Sequence, residues 1–378
     1  MTMSPATQDL IESAVRGVAQ IKQSDRGLTL HRLPDSTAHY HDHDAMTQKV
    51  ADQASGARLA LITRATTITL TYRSTRDALI DGSWRSSPSV VVLTGAGEPQ
   101  AVSADNGDLR LWNGDVHVST TKGQDSVAVF TLEPTATPRV VELWLPHNCV
   151  IEIINLEADA PLMAAPRSQP KWVHYGSSIS HGAEADQPIG TWPAVVARNL
   201  GLDLFSLGLA GSANLELFVA QVMAGLPADL ITLKLGINTV NGSHLTRRVF
   251  IPAVHSFLDA LRITHPTIPL VVISPIYCPA HETNPGPTQG GINGKIGSLP
   301  DRDEPWVGNL TLEMIRELLQ RIVVRREDPH LHYLNGLEVF GPGDVALLPD
   351  GLHPNSEGQA LMGRRVTELL LPFLPKRS

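Results

Sequence analysis

The chain contains a serine, an aspartate and a histidine in an order that suits covalent catalysis. Ser178 follows an apolar run, within the sequence Gly-Ser-Ser-Ile-Ser at residues 176–180, and Asp350 and His353 lie three residues apart near the C-terminus. A carboxylate bonded to one imidazole nitrogen fixes the tautomer and leaves the other nitrogen free to take a serine proton. These residues predict an acyl-enzyme mechanism. Alone, the serine motif also fits a helix cap, and Asp350 with His353 also fits a turn.

Two glycine-containing fragments between these motifs supply hydrogen-bond donors. Gly211 ends the sequence Ser-Leu-Gly-Leu-Ala-Gly at residues 206–211, and a glycine lets its backbone N–H come close to a ligand. Asn238, in the sequence Leu-Gly-Ile-Asn-Thr at residues 235–239, offers a side-chain amide. Together with the backbone N–H of Ser178, these groups predict a three-donor oxyanion hole.

The second half of the chain alternates apolar strands with amphipathic helices. The predicted strands are 172–175, 204–207, 230–235, 270–274 and 331–334, and the predicted helices are 192–200, 215–224, 245–264, 307–326 and 356–371. This alternation predicts an α/β fold with a parallel sheet and helices on both faces. Ser178, Gly211 and Asn238 each follow a predicted strand, and such sheets bind ligands outside the carboxyl ends of their strands.

The first half of the chain has a different texture. Residues 1–26 predict an N-terminal helix, because apolar side chains recur with a helical period up to Ile21. Residues 27–164 contain closely spaced strands without intervening helices, which predicts an all-β sandwich or jelly-roll domain. A linker then leads to a catalytic domain at residues 171–378. Its Pro- and Gly-rich insertion at residues 277–306 is too long for an ordinary loop, which indicates a functional segment.

From about residue 171 to the C-terminus, the chain resembles the SGNH hydrolases, also called the GDSL esterase and acylhydrolase family. The resemblance rests on four motif blocks that occur in the family's order, and it implies a flavodoxin-like fold. It further implies a catalytic triad of Ser178, Asp350 and His353. By the same resemblance Ser178, Gly211 and Asn238 form the oxyanion hole.

Two positions depart from the family pattern. Ser177 and Thr239 stand where the family has aspartate, but neither aspartate belongs to the triad, so the chemistry is expected to survive. Ser177 and Ser180 are alternative nucleophiles, whereas the register of the motif favours Ser178.

The combination of an N-terminal sandwich with this catalytic domain resembles the acyltransferases of the family. The resemblance implies transfer of an aryl, salicylyl-type acyl group from acyl-CoA to a hydroxyl of a tetracycline-type polyketide, with no bound cofactor and no metal. The candidate substrate contacts are Ile179, Tyr277 and Trp306, and we expect the insertion to form an apolar lid that keeps water out. An ester hydrolase such as a carbohydrate deacetylase is the alternative. A non-catalytic glycan-binding protein fits less well, because the triad residues are intact.

Bulk properties exclude several other classes. The formal net charge of −8 argues against nucleic acid and anionic membranes as partners, which leaves a small-molecule acyl donor and acceptor. Two cysteines cannot form a disulfide framework, and neither an export signal nor a spanning apolar run is visible, so we expect a cytoplasmic protein. His39, His41 and His43 alternate, but a polar strand face or loop explains them better than a metal site.

Overall fold

The structure, a computed structural model, describes residues 3–42, 44–290, 295–298 and 308–374. The chain falls into two compact units, one of Met1–Ser168 with Asp186–Ile189 and one of Gln169–Ala185 with Gly190–Ser378. Within the described ranges, no helix combines the length and the apolar character needed to cross a bilayer.

The first unit consists mainly of short β-strands. They are β1 (Val15–Arg16), β2 (Gln20–Gln23), β3 (Leu28–His31), β4 (Arg58–Thr63), β5 (Thr67–Leu79), β6 (Ser89–Thr94), β7 (Gln100–Ala104), β8 (Asp108–Asn113), β9 (Val116–Thr121), β10 (Ser126–Thr131), β11 (Arg139–Trp144), β12 (Val150–Ala158) and β13 (Leu162–Ala164). Its helical elements are α1 (Pro5–Ala14), a 3₁₀ turn (Asp35–Thr37), α2 (Ala38–His41) and α3 (Ala45–Asp52).

In the described part of the first unit, these strands pair into two sheets around one core. One sheet has the order β1-β4-β11-β6-β7 with β13 beside β4, and the other has the order β2-β3-β12-β5-β8-β9 with β10 beside β5. Leu59 and Leu143 reach the core from the first sheet, and Leu70 and Ile151 reach it from the second. Such packing accounts for the alternation of buried and exposed residues along strands such as β10.

The prediction of a single helix through residue 26 is wrong. Helix α1 ends at Ala14, because Val15 is extended (φ −65°, ψ 142°) and pairs with Leu59 of β4. Ile21, which fitted the helical period, lies in β2. The expectation that no helix interrupts the β-strands is also wrong, since α2 and α3 lie between β3 and β4. Pairing with distant strands overrides local periodicity here.

The second unit alternates strands and helices. Its strands are β14 (Lys171–Gly176), β15 (Asp203–Gly208), β16 (Leu230–Lys234), β17 (Leu270–Ile273), β18 (Thr288–Gly290), β19 (Ile296–Ser298) and β20 (Leu331–Leu334). Its helices are α4 (Ser178–His181), α5 (Trp192–Leu200), α6 (Leu217–Gly225), α7 (Ile237–Asn241), α8 (Arg247–Thr264), α9 (Leu312–Arg326), α10 (Gly336–Val339) and α11 (Ser356–Leu370). Further 3₁₀ turns are Pro188–Gly190, Pro342–Leu347 and Leu371–Phe373.

The main sheet of the second unit confirms the predicted α/β fold. Its strand order is β15-β14-β16-β17-β20, and every neighbouring pair is parallel. In chain order this is the 2-1-3-4-5 arrangement of flavodoxin-like sheets. Helices cover both faces: the Tyr175 ring packs 5.0 Å from that of Phe257 in α8, and the Trp172 ring lies 6.2 Å from that of Trp192 in α5. Strand β14 therefore ends between β15 and β16.

The helix predicted at residues 215–224 starts later than expected. Helix α6 begins at Leu217, because Leu215 has a left-handed backbone (φ 66°) that cannot continue a right-handed helix. The sequence pattern does not predict the short helices α7 and α10 or the antiparallel pairing of β18 with β19. These elements are too short to show a period.

Candidate functional site

Ser178 begins helix α4 directly beyond the carboxyl end of β14. Two glycines let this helix lie close to the sheet. A Cβ on Gly208 would lie 2.4 Å from the backbone nitrogen of His181, and a Cβ on Gly176 would lie 2.3 Å from Ser180 Oγ. The turn that presents Ser178 therefore depends on glycine in both neighbouring strands.

Helix α11 also holds this turn in place. Gln359 donates to the carbonyl of Ile179 at 3.2 Å and accepts from the backbone N–H of Trp192 at 2.9 Å. Ile179 itself is only 1% exposed. Because its side chain has almost no free surface, the prediction that Ile179 contacts substrate is not supported; the residue belongs to the core.

Ser178, His353 and Asp350 form a continuous chain of hydrogen bonds. Ser178 Oγ lies 2.8 Å from His353 Nε2, and His353 Nδ1 lies 2.6 Å from Asp350 Oδ2. The other carboxylate oxygen, Oδ1, accepts the backbone N–H groups of Leu352 at 2.8 Å and His353 at 2.7 Å. In this geometry the imidazole can take a proton from the serine while the carboxylate fixes the ring.

The environment of Asp350 favours its ionised form. Burial alone would raise its pKa, but the hydrogen bond and charge of His353 and the backbone donors of His353 and Leu352 outweigh burial and lower the pKa to about 2. Asp350 is therefore a carboxylate at any pH near neutral. An ionised partner suits an imidazole that becomes positively charged when it accepts a proton.

The structure distinguishes Ser178 from the two alternative nucleophiles. The hydroxyl oxygens of Ser177 and Ser180 are buried and have no hydrogen-bond partner among the described residues. Their side chains are 1% and 0% exposed, respectively. Of these serines, Ser178 is the one whose hydroxyl contacts His353.

The predicted oxyanion donors follow three neighbouring strands. Ser178 follows β14, Gly211 follows β15 and Asn238 follows β16, and β14 lies between the other two strands. The side-chain oxygen of Asn238 accepts the backbone N–H of Ala213 at 3.2 Å. This bond directs the amide nitrogen of Asn238 away from Ala213, and that nitrogen has no partner in the described ranges.

The loop that carries Gly211 leaves one donor unused. The backbone N–H of Ser212 donates to Leu209 O at 3.1 Å, and that of Ala213 is bound to Asn238. The N–H groups of Asn214 and Leu215 are also bound, to the side chains of Glu216 and Tyr175. From residue 211 to residue 215, only the N–H of Gly211 lacks a partner among the described residues. Within this segment, the Gly211 N–H is therefore the backbone donor left for another group.

Part of the insertion contacts the segment that carries the carboxylate. The backbone N–H of Ile296 in β19 donates to Asp350 O at 2.9 Å, and Cys278 Sγ lies 3.4 Å from Gly351 O. Tyr277, a predicted substrate contact, is half-buried, and its N–H donates to Phe340 O at 3.0 Å. Trp306, the remaining predicted contact, lies outside the described residues, as does much of the predicted lid.

Lys234 is a further unusual residue, which lies outside the motifs singled out in the sequence. It ends β16, is 2% exposed, and makes no hydrogen bond or ion pair within the described ranges. Burial lowers its pKa to about 7. The signal was visible, because a lysine interrupts the otherwise apolar run at residues 230–235.

Two of the three alternating histidines near the start of the chain lie in a helix, and not on a strand face or in a loop. His39 and His41 lie in helix α2, and His43 lies outside the described residues. Across the described ranges, no cluster of three or more side chains with metal-binding chemistry is present.

A serine hydrogen-bonded to a histidine and an aspartate, at the carboxyl edge of a flavodoxin-like sheet, is typical of the serine esterases and acyltransferases with this fold. Residues 174–361 match the GDSL-like Lipase/Acylhydrolase family. Through this region the chain belongs to that family, and it is an enzyme of the GDSL acyltransferase or esterase type.

Solved structures extend the similarity over nearly the whole chain. The salicylyl-acyltransferase SsfX3 from a tetracycline biosynthetic pathway is 26% identical, with a TM-score of 0.78 and 96% of each chain covered. A protein from Bacteroides ovatus described as a GDSL-like lipase is 18% identical, with a TM-score of 0.66 and 96% of each chain covered. A family two carbohydrate esterase from Clostridium thermocellum, in complex with cellohexaose, is 14% identical, with a TM-score of 0.57 over 94% of this chain and 98% of the other. The last two share the fold alone. Among curated proteins, none matches the chain.

Proposed function

We propose that this protein is a serine acyltransferase that moves an aryl acyl group of the salicylyl type from a coenzyme A thioester to a hydroxyl of a tetracycline-type polyketide. The observation that carries the serine chemistry is the chain of hydrogen bonds from Ser178 through His353 to Asp350. The similarity to SsfX3 supports the choice of acyl group and acceptor. In this proposal residues 171–378 perform the chemistry, and residues 27–164 form a jelly-roll-like sandwich.

In the first half-reaction the enzyme is acylated. His353 Nε2 accepts the hydroxyl proton of Ser178, and the serine oxygen attacks the thioester carbonyl carbon. The oxyanion that forms accepts hydrogen bonds from the backbone N–H groups of Ser178 and Gly211 and from the amide of Asn238. The carbonyl then re-forms, the carbon–sulfur bond breaks, and His353 gives its proton to the departing sulfur, so coenzyme A leaves as a thiol and the imidazole is neutral again.

In the second half-reaction the acyl group passes to the acceptor. The neutral imidazole of His353 removes the proton of the acceptor hydroxyl, whose oxygen attacks the acyl-enzyme carbonyl. The same donors stabilise the second oxyanion. The bond to Ser178 Oγ breaks, and His353 returns the proton to the serine, so the enzyme is regenerated without net gain or loss of protons.

Mass spectrometry of the products tests the proposal. The full-length protein is incubated with salicylyl-coenzyme A and a tetracycline-type acceptor that carries free hydroxyls. We expect an acylated acceptor and free coenzyme A in equal amounts. Ser178→Ala should form neither, whereas Ser180→Ala is the matched control, because Ser180 is buried two residues away and does not contact His353.

Each result has a defined meaning. Acylated acceptor from wild type and Ser180→Ala, but not from Ser178→Ala, supports the proposal. Salicylate without acylated acceptor would reject transfer and favour hydrolysis. If Ser178→Ala forms as much product as wild type, Ser178 is not the nucleophile.

A hydrolytic esterase, such as a carbohydrate deacetylase, is the second candidate. It uses the same acyl-enzyme with water as the acceptor, and the fold shared with the family two carbohydrate esterase favours it. Acetylated oligosaccharides in place of the polyketide provide the comparison. The rate of acetate release from the oligosaccharide is compared with the rate of coenzyme A release from the aryl thioester at the same substrate concentration. A faster release of acetate would favour the esterase. A non-catalytic glycan-binding protein is excluded if a fluorophosphonate labels Ser178.

A further inference from the structure

The loop that carries Gly211 contains a strained residue. Leu215 has φ 66°, in the left-handed region, although it is a leucine with a side chain only 8% exposed. A residue with a Cβ disfavours this conformation, which persists only where neighbouring groups hold it. The contacts of Leu215 should therefore include the group that holds the loop.

That group is the hydroxyl of Tyr175. It accepts the backbone N–H of Leu215 at 3.0 Å and donates to Glu216 Oε2 at 2.7 Å. The other carboxylate oxygen of Glu216 accepts the N–H of Asn214 at 2.8 Å. One tyrosine and one glutamate thus fix two consecutive peptide groups of the loop.

Tyr175 is itself rigidly placed. It is fully buried, its ring packs 5.0 Å from that of Phe257, and it lies in β14, three residues before Ser178. Burial and the neighbouring Glu216 raise the pKa of Tyr175 well above its ordinary value, so the hydroxyl keeps its proton and remains a donor. The strand that leads to Ser178 therefore also carries the anchor of the adjacent loop.

We infer that Tyr175 is a positioning residue, whose hydroxyl holds Leu215 in its left-handed conformation and thereby sets the direction of the free Gly211 N–H toward the oxyanion. The inference rests on the proposed function, because it assigns Gly211 to the oxyanion. Tyr175 acts only through the loop and does not contact the reacting atoms.

Tyr175→Phe tests this role, because it removes the hydroxyl and leaves the ring. With p-nitrophenyl acetate as substrate, we expect kcat to fall by about 10-fold, less than the ~10²–10³ that follows outright removal of an oxyanion donor. KM should change by less than about twofold, since the ground-state ester makes no full-strength bond to these donors. Tyr333→Phe is the matched control: it removes a hydroxyl that donates to Ser274 Oγ at 3.0 Å elsewhere in the same sheet, and kcat should stay unchanged.

Leu215→Gly separates positioning from general destabilisation. Glycine adopts the left-handed conformation without a steric cost, so the loop no longer depends on Tyr175. We expect Tyr175→Phe to lower kcat by only about two- to threefold in the Leu215→Gly background, compared with about 10-fold in wild type. Equal losses in both backgrounds would overturn the inference.

Two readouts that need no substrate turnover distinguish this inference from the proposed function. Amide hydrogen exchange at residues 212–215 should be faster in Tyr175→Phe than in wild type, and a fluorophosphonate should label wild-type Ser178. If wild type is labelled but Tyr175→Phe matches it in exchange and in kcat, the positioning role alone is wrong. If wild type is not labelled, the proposed function is wrong, and the role of Tyr175 in positioning an oxyanion donor is wrong as well.

Discussion

The backbone N–H of Ala213 donates to Oδ1 of Asn238 at 3.2 Å, although these residues follow strands on opposite sides of β14. The bond connects the two segments that flank Ser178. It also settles which end of the Asn238 amide is used, because an oxygen that accepts from Ala213 leaves the nitrogen to donate elsewhere. A side chain that is 3% exposed can hold such an orientation.

Replacement of Asn238 should test this orientation. Asn238→Ala removes one proposed oxyanion donor and should lower kcat by about 10²–10³. Asn238→Asp should lower it at least as much, because a carboxylate can still accept from Ala213 but cannot donate and repels the oxyanion. Steady-state kinetics on an activated ester, with circular dichroism to verify folding, provide the measurement. If Asn238→Asp keeps a third or more of the wild-type kcat, the amide is not an oxyanion donor.

Asp350 should remain ionised wherever the enzyme is active. Its folded-state pKa of about 2 lies below the ordinary aspartate value of about 3.9. The stability that it contributes is therefore fully present above about pH 4 and is lost as the pH falls toward 2. We expect the difference in melting temperature between wild type and Asp350→Asn to shrink as the pH falls from about 4 toward 2.

The same substitution should be severe for catalysis. Asn in place of Asp can hold the imidazole in the wrong tautomer, and comparable replacements in Ser-His-Asp enzymes lower kcat by about 10⁴. The measurement is the rate on an activated ester at pH 8. The same samples used for the melting curves then give the change in kcat and the change in melting temperature together. A loss of less than about 10-fold would argue against a role for Asp350 in orienting His353.

Gly208 should tolerate no side chain. A Cβ there would lie 2.4 Å from the backbone nitrogen of His181 and 2.6 Å from the carbonyl carbon of Ser180, so helix α4 would have to move. Gly208→Ala should lower the free energy of unfolding by about 1–3 kcal/mol and reduce activity by displacing Ser178. Gly225→Ala in α6 is the control, because its Cβ would meet nothing within 4 Å. Chemical denaturation of both variants should show a lower free energy of unfolding for Gly208→Ala only.

Lys234 should destabilise the folded protein in a pH-dependent way. Its pKa falls from 10.5 in the unfolded chain to about 7 in the folded state, so the unfolded chain binds more protons between these values. Stability should therefore rise with pH between about 7 and 10.5, by up to about 1.4 kcal/mol per pH unit. Lys234→Met removes the titrating group, so its gain in melting temperature should be largest at or below pH 7 and should shrink toward pH 10.

Lys171→Met is the control for this series, because Lys171 is only partly buried. Differential scanning calorimetry from pH 6 to pH 10 compares the three proteins. A gain for Lys234→Met that does not vary with pH would mean that burial does not shift the titration of Lys234.

The sequence by itself determined the α/β organisation of the second unit and the residue types available for chemistry. Parallel strands buried on both faces appear as short apolar runs, which is why the predicted strands lie within one residue of β14, β15, β16, β17 and β20. Periodicity failed in the first unit, where Val15 leaves the helical pattern to pair with Leu59. The period of apolar residues describes one segment of the chain, whereas strand pairing also depends on a partner segment far along the chain.

Only the tertiary structure decided which groups meet. Three serines lie within residues 177–180, and the contact that distinguishes Ser178 is with His353, 175 positions away. The bond from the Leu215 N–H to the Tyr175 hydroxyl likewise joins residues 40 positions apart. These features arise from distances and directions between segments that the fold brings together, and local residue preferences contain no information about them.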